Sequence, residues 1–254
     1  MSLTIDLIWG FACVFARIST LLLVAPLLGS AVPVKIRVML SAVIALALVP
    51  TLSEALPGVP ADLLALGLGV GREILIGAIL GMTLQLLLMA AQSAGTIMDL
   101  QLGFGSLQLY NPMFQGTTTL LGQFQFTFAL VVFFSLGGHH LALHAFVQSY
   151  WLNTTFDQAS LTGMTEGLVR LAGQLALLSM QMAAPVAAVS VIVDAAASIV
   201  NKSIPQMQVF FLTAGIKSII GIVVLGTALP LMVSVMRAGI EQTLAATMRI
   251  LGGG

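Results

Sequence analysis

The longest apolar run, residues 62–102, contains no proline and limits what the chain can fold into. As one straight α-helix at about 1.5 Å per residue it would reach roughly 60 Å, twice the hydrocarbon core of a bilayer. Either it folds back as a hairpin, or a single helix projects well beyond a membrane. A surface facing water is not available to such a chain. Soluble domains carry about 25% charged residues, whereas this one has 7% charged and 59% hydrophobic residues and a mean hydropathy of +1.09. It is a membrane protein, or one covered nearly all round by partners. Nine basic residues balance nine acidic ones with no basic block, which excludes a nucleic-acid surface.

Six hydrophobic stretches, at about 3–28, 36–56, 62–102, 120–136, 167–199 and 206–237, predict an all-α, membrane-associated chain of helical hairpins over residues 1–254, some helices longer than a span. Gly and Pro mark the breaks at "GSAVPVK", "PGVP" and "NKSIPQ". "QFQFTF" (123–128) alternates like a strand, but a lone strand in lipid would leave its backbone unpaired, so helix is predicted. The N-terminal stretch has no basic region ahead of its apolar run and carries Asp6, so it is read as a retained helix rather than a signal peptide. Cationic side chains divide evenly between the two sides (Lys35, Arg37 and Lys202 against Arg170, Arg237 and Arg249), so membrane orientation stays open.

Within 62–102, Gly71, Ala78, Gln85, Gln92 and Asp99 recur every seventh residue, with Gly81 and Gly95 on nearly the same face. Small residues let helices approach closely and amides bond across the seam, so the stripe packs either on this chain's own helices or on other subunits. Arg17, Arg72, Glu73, Asp194 and Lys217 interrupt apolar runs. A charge at a helix centre costs about 2.5–3.5 kcal/mol on insertion scales, so each needs a partner or a wet path. No carboxylate-dense relay is visible, which favours pairing between subunits over ion transport.

Chemistry is largely excluded. His140 and His144 are spaced like zinc ligands, with His139 beside them, but no Glu completes HExxH and no Cys or Asp is near. The single Cys13 lies in an apolar run and forms neither an internal disulfide nor a thiolate cluster. Nucleotide-binding and nucleophile-elbow motifs are absent. No enzyme, metal or cofactor is expected. The connector "MDLQLGFGSLQLYNPMFQGTTTLL" (98–121) is too apolar for a loop in water.

From about residue 10 to 237 the chain resembles the R/T subunit family of bacterial type III export gates, in its flagellar FliR branch. The resemblance rests on Arg17, Pro26, Pro33 and Arg37, followed in order by "GREILIGAILG" (71–81), "AGTIMDLQLGFG" (94–105), "GGHHLALHAFVQSY" (137–150) and "IPQMQVFFLTAGIKSIIG" (204–221). Met207-Gln208 stands where the family has a Leu-Asn-like pair, and Asn201-Lys202 where it has an Arg. The resemblance implies one copy in a helical assembly with FliP-like and FliQ-like subunits, next to FlhB-like and FlhA-like ones. That assembly sits in the inner membrane at the flagellar basal body, partly on the periplasmic side, and passes unfolded flagellar proteins. A P-like half, about 1–165, is joined to a Q-like half, about 166–254. The connector 103–119 plugs the pore through Gly103, Phe104, Gly105, Leu107, Leu109, Tyr110, Pro112, Met113 and Phe114. Subunit contacts fall on Gly71, Arg72, Glu73, Ala78, Gly81, Gln85, Gln92, Gly95, Asp99, Pro205, Gln206, Phe210 and Lys217. An injectisome T subunit is the close alternative. A six-helix secondary transporter is the rival from another class, and it would show an internal repeat.

Overall fold

The structure, a computed structural model, describes residues 2–26, 32–60, 62–104, 119–152, 158–203 and 209–252. Seven helices are described: α1 Ser2–Val24, α2 Val34–Leu52, α3 Leu63–Leu102, α4 Leu120–Ser135, α5 Gly138–Gln148, α6 Gln158–Ser203 and α7 Val209–Gly252. The all-α expectation is borne out, and 62–102 takes the second of its two options: α3 is one continuous helix of 40 residues. Alternating "QFQFTF" is helical, inside α4.

Local chemistry explains the boundaries. The Pro33 carbonyl accepts from the Ile36 and Arg37 N–H groups at 3.0 and 3.3 Å, which starts α2. Thr119 is extended and its hydroxyl accepts the Gly122 N–H at 3.1 Å, an N-cap for α4. Between α4 and α5 the chain bends by 70° at Gly137, whose φ of +72° suits glycine. Among the described residues five helices are long and apolar enough to cross a membrane, or six if the bent α4–α5 pair counts as one span. Two helices outrun their apolar stretches. α6 begins near 158 rather than 167, and α7 continues past 237 through Glu241 and Arg249.

Two compact units alternate along the chain. One holds residues 1–87, 137–172 and 241–254, the other 88–136 and 173–240, so α3, α6 and α7 each contribute to both. The first unit has a core of Val14, Ile18, Leu21, Ala45, Leu52, Ile76, Leu80 and Phe146. In the second, the fully buried Gln125 amide lies 3.1 Å from the Met232 sulfur and 3.8 Å from that of Met98.

The outer surface stays apolar. Leu63 is 86% exposed, Ile192 67%, Ile199 70% and Ile219 68%. A monomer in water does not sustain such faces, so lipid or protein must cover them.

Part of the small-residue stripe packs inside the chain. A Cβ on Gly95 would overlap the Leu121 carbonyl, and one on Gly81 would press on Val24 and Leu21. Gly77, in the same "GAILG", lies against the Arg17 carbonyl. Gly71, by contrast, has nothing within 4 Å of such a Cβ. Gly95→Ala should therefore destabilise the chain by about 1–3 kcal/mol, while Gly71→Ala should leave stability unchanged or slightly raised. Thermal melting of both variants in detergent checks the contrast.

Candidate functional site

The connector leaves α3 through a Schellman turn. Gly103 takes the left-handed conformation, φ +81°, which lets the Phe104 N–H reach back to the Asp99 carbonyl at 3.1 Å and the Gly103 N–H reach Leu100 at 3.3 Å. Gly103 and Phe104 are thus placed at the outgoing end. The other plug residues of the sequence reading, Gly105, Leu107, Leu109, Tyr110, Pro112, Met113 and Phe114, lie outside the described residues. The chain returns at Thr119, and the Leu121 N–H meets the Asp99 carboxylate Oδ2 at 3.3 Å. Asp99 is only 1% exposed, and its Oδ1 has no partner among the described residues.

Intrachain partners account for most of the charges in apolar runs. Arg17, on α1, donates from Nε to Glu73 Oε2 at 2.6 Å, and both residues are 3% exposed. Its Nη1 donates to the Ser149 hydroxyl at 2.7 Å, and that hydroxyl donates to the Phe146 carbonyl at 2.6 Å. Tyr150 completes the cluster twice: its hydroxyl donates to Glu73 Oε2 at 3.3 Å, and its ring lies under the guanidinium, 3.6 Å from the centroid. Burial raises the Tyr150 phenol above its ordinary range, so it remains a donor. Gly77 makes room for this arrangement by letting α3 approach the backbone of α1 at Arg17. On the outside, Lys217 Nζ meets both oxygens of Asp194, at 2.9 and 2.7 Å, with the carboxylate half-exposed.

Sequence reasoning assigned Glu73 and Lys217 to contacts between subunits; the structure supplies each with an ion partner in its own chain. Glu73 also separates cleanly from its neighbour Arg72, which is exposed. Of the stripe, Gly71, Ala78, Gln85 and Gln92 are half-buried, whereas Gly81, Gly95 and Asp99 are buried. Phe210 lies in the first turn of α7, and Pro205 and Gln206 are outside the described residues. The Arg17–Tyr150–Ser149 association was missed. Its signal was Ser149-Tyr150 at the end of "GGHHLALHAFVQSY", but nothing local links that pair to an arginine on α1. No cluster of three His, Cys, Asp or Glu side chains is found among the described residues.

The cluster is a buried ion pair with hydrogen bonds on both partners, so removing one member strands the other charge. Arg17→Leu or Glu73→Leu should each cost about 3–5 kcal/mol, and the double variant should cost less than the sum of the two. Tyr150→Phe should cost only about 1 kcal/mol. A double-mutant cycle on thermal melting measures all three.

Comparison with known proteins extends the picture. The family of bacterial export proteins, family 1, matches residues 8–243. A flagellar biosynthetic protein FliR of Bacillus subtilis is 29% identical over 259 residues, covering 99% of this chain and 97% of the relative. That of Caulobacter vibrioides is 29% identical over 219 residues, covering 86% and 87%. The Yop proteins translocation protein T of Yersinia pestis is 28% identical over 166 residues, covering 65% and 64%. With nearly its whole length matched, the chain belongs to the bacterial export proteins of family 1, the family that holds the FliR flagellar biosynthetic proteins.

Proposed function

We propose that the chain is a core subunit of the flagellar type III protein export gate, helping to form and seal the channel through which unfolded flagellar proteins leave the cell, with no catalysis of its own. The observation that carries the reading is the length of the helices. α3, α6 and α7 hold 40, 46 and 44 residues, and at about 1.5 Å per residue each is roughly twice a bilayer core. Their exposed faces remain apolar. Faces of that length need protein as well as lipid to cover them, and an assembly of similar subunits in the inner membrane, partly on the periplasmic side, supplies that cover. FliP-like and FliQ-like subunits are the partners in this reading, with FlhB-like and FlhA-like subunits beside them. Gly71, Ala78, Gln85 and Gln92, half-buried on α3, and Arg72, exposed beside them, are the contacts it assigns to that face, together with Pro205, Gln206 and Phe210. The reading joins a P-like half (about 1–165) to a Q-like half (about 166–254), the latter holding all of α7 and most of α6.

The seal is assigned to the connector 103–119. A closed export channel must block ions through a nominally wet lumen, and apolar side chains do this by dewetting a constriction. Phe104, Leu107, Leu109, Tyr110, Met113 and Phe114 are of that kind, and Met repacks readily around a passing chain. A role in an injectisome is the second reading, favoured by the Yersinia pestis relative; the longer coverage of the flagellar relatives favours the first.

Deleting residues 105–113 should make cells leak ions through the assembled gate without loss of assembly. Unchanged ion permeability in a gate shown by purification to be intact would falsify the sealing role.

A further inference from the structure

Every helix C-terminus leaves four carbonyls without an intrahelical partner. In α3 all four are taken. Asp99 and Leu100 accept from Phe104 and Gly103 in the Schellman turn. Gln101 accepts from the Ser190 hydroxyl on α6 at 3.0 Å, and Leu102 from the Ser218 hydroxyl on α7 at 3.4 Å. The Leu102 side chain, 1% exposed, fills the space left by Gly221 on α7.

The start of α4 is fastened to the same turn. Asp99 Oδ2 accepts the Leu121 N–H, and the Thr119 hydroxyl, which caps Gly122, donates to Thr96 Oγ1 at 3.4 Å. Gly95 lets the Leu121–Gly122 backbone close on α3. A buried carboxylate is costly to desolvate, and a helix N-terminus offsets that cost with free N–H donors and the positive end of its dipole. Asp99 therefore bonds both ends of the connector, the outgoing end through its main-chain carbonyl and the returning end through its side chain.

We propose that Asp99 is the positioning residue of the connector: it holds residues 104 and 121 in one frame, to which α6 and α7 are tied through Ser190 and Ser218, and the seal depends on that frame. The second half of this statement rests on the sealing reading above; the first does not.

The test compares Asp99→Ala and Asp99→Asn in the assembled complex, by amide hydrogen exchange at Leu121 and by ion leak, with the 105–113 deletion alongside. Asp99→Ala should speed exchange at Leu121 by roughly tenfold and open a leak. Asp99→Asn keeps an acceptor oxygen and should largely restore both, which a general loss of packing would not. Unchanged exchange in Asp99→Ala overturns the anchor. Faster exchange without a leak, where the deletion does leak, overturns its role in the seal. A deletion that does not leak overturns the sealing reading itself and leaves the anchor to be judged by the exchange data.

Discussion

Water is scarce around this molecule, and each polar group withdrawn from it must find its partner within protein. Nine acidic and nine basic residues serve the whole chain, so every buried charge stands out. Arg17 and Glu73 meet across α1 and α3, and Ser149 and Tyr150 add a hydrogen bond to each. Among the described residues Asp99 meets no cation, and it turns instead to the amide end of α4. These two solutions belong to different compact units, and each decides where a piece of α3 sits against its neighbours. Burying one partner alone would cost several kcal/mol, so the arrangements are all-or-none.

Continuity of the long helices follows from the same scarcity. A helix satisfies its own backbone, and any interruption must be repaired by side chains or by neighbouring elements. Two described interruptions are repaired in this way: Gly103 by a Schellman turn and two serine hydroxyls, and Thr119 by its own hydroxyl and Asp99. What the chain does not cover by itself is the outside of α3, α6 and α7, where large aliphatic side chains remain exposed. That open apolar surface, on helices too long for one bilayer, makes an assembly of several subunits the economical explanation.

Much of the fold could be read from hydrophobicity alone. The apolar runs became helices, and the absence of proline in 62–102 correctly allowed one unbroken helix. Helix ends were harder. α6 starts in "QASLTGMTE" and α7 runs to "ATMRILG", where polar residues lower the mean hydropathy while the chain stays helical. Partners distant in sequence were not legible. Glu73 lies 56 residues from Arg17 and beside Arg72, so its true partner could not be chosen from spacing. Gly71 and Gly95 lie on nearly the same face of α3, yet of the two only Gly95 touches another helix closely, because periodicity gives a face and not what lies opposite it. Asp99 likewise read as one more polar member of the stripe; its capping role depends on Leu121, 22 residues away at the start of α4, which spacing does not link to it.

Membership of a multi-subunit gate is the claim on which the remaining readings depend. Native mass spectrometry of the detergent-extracted chain, co-expressed with the genes encoded beside it, addresses it directly. The account predicts a large hetero-complex containing a single copy of this chain. A monomer or a small homo-oligomer, with the neighbouring proteins shown to be expressed, would contradict it and return the buried and half-buried charges to the reading of an ion pathway.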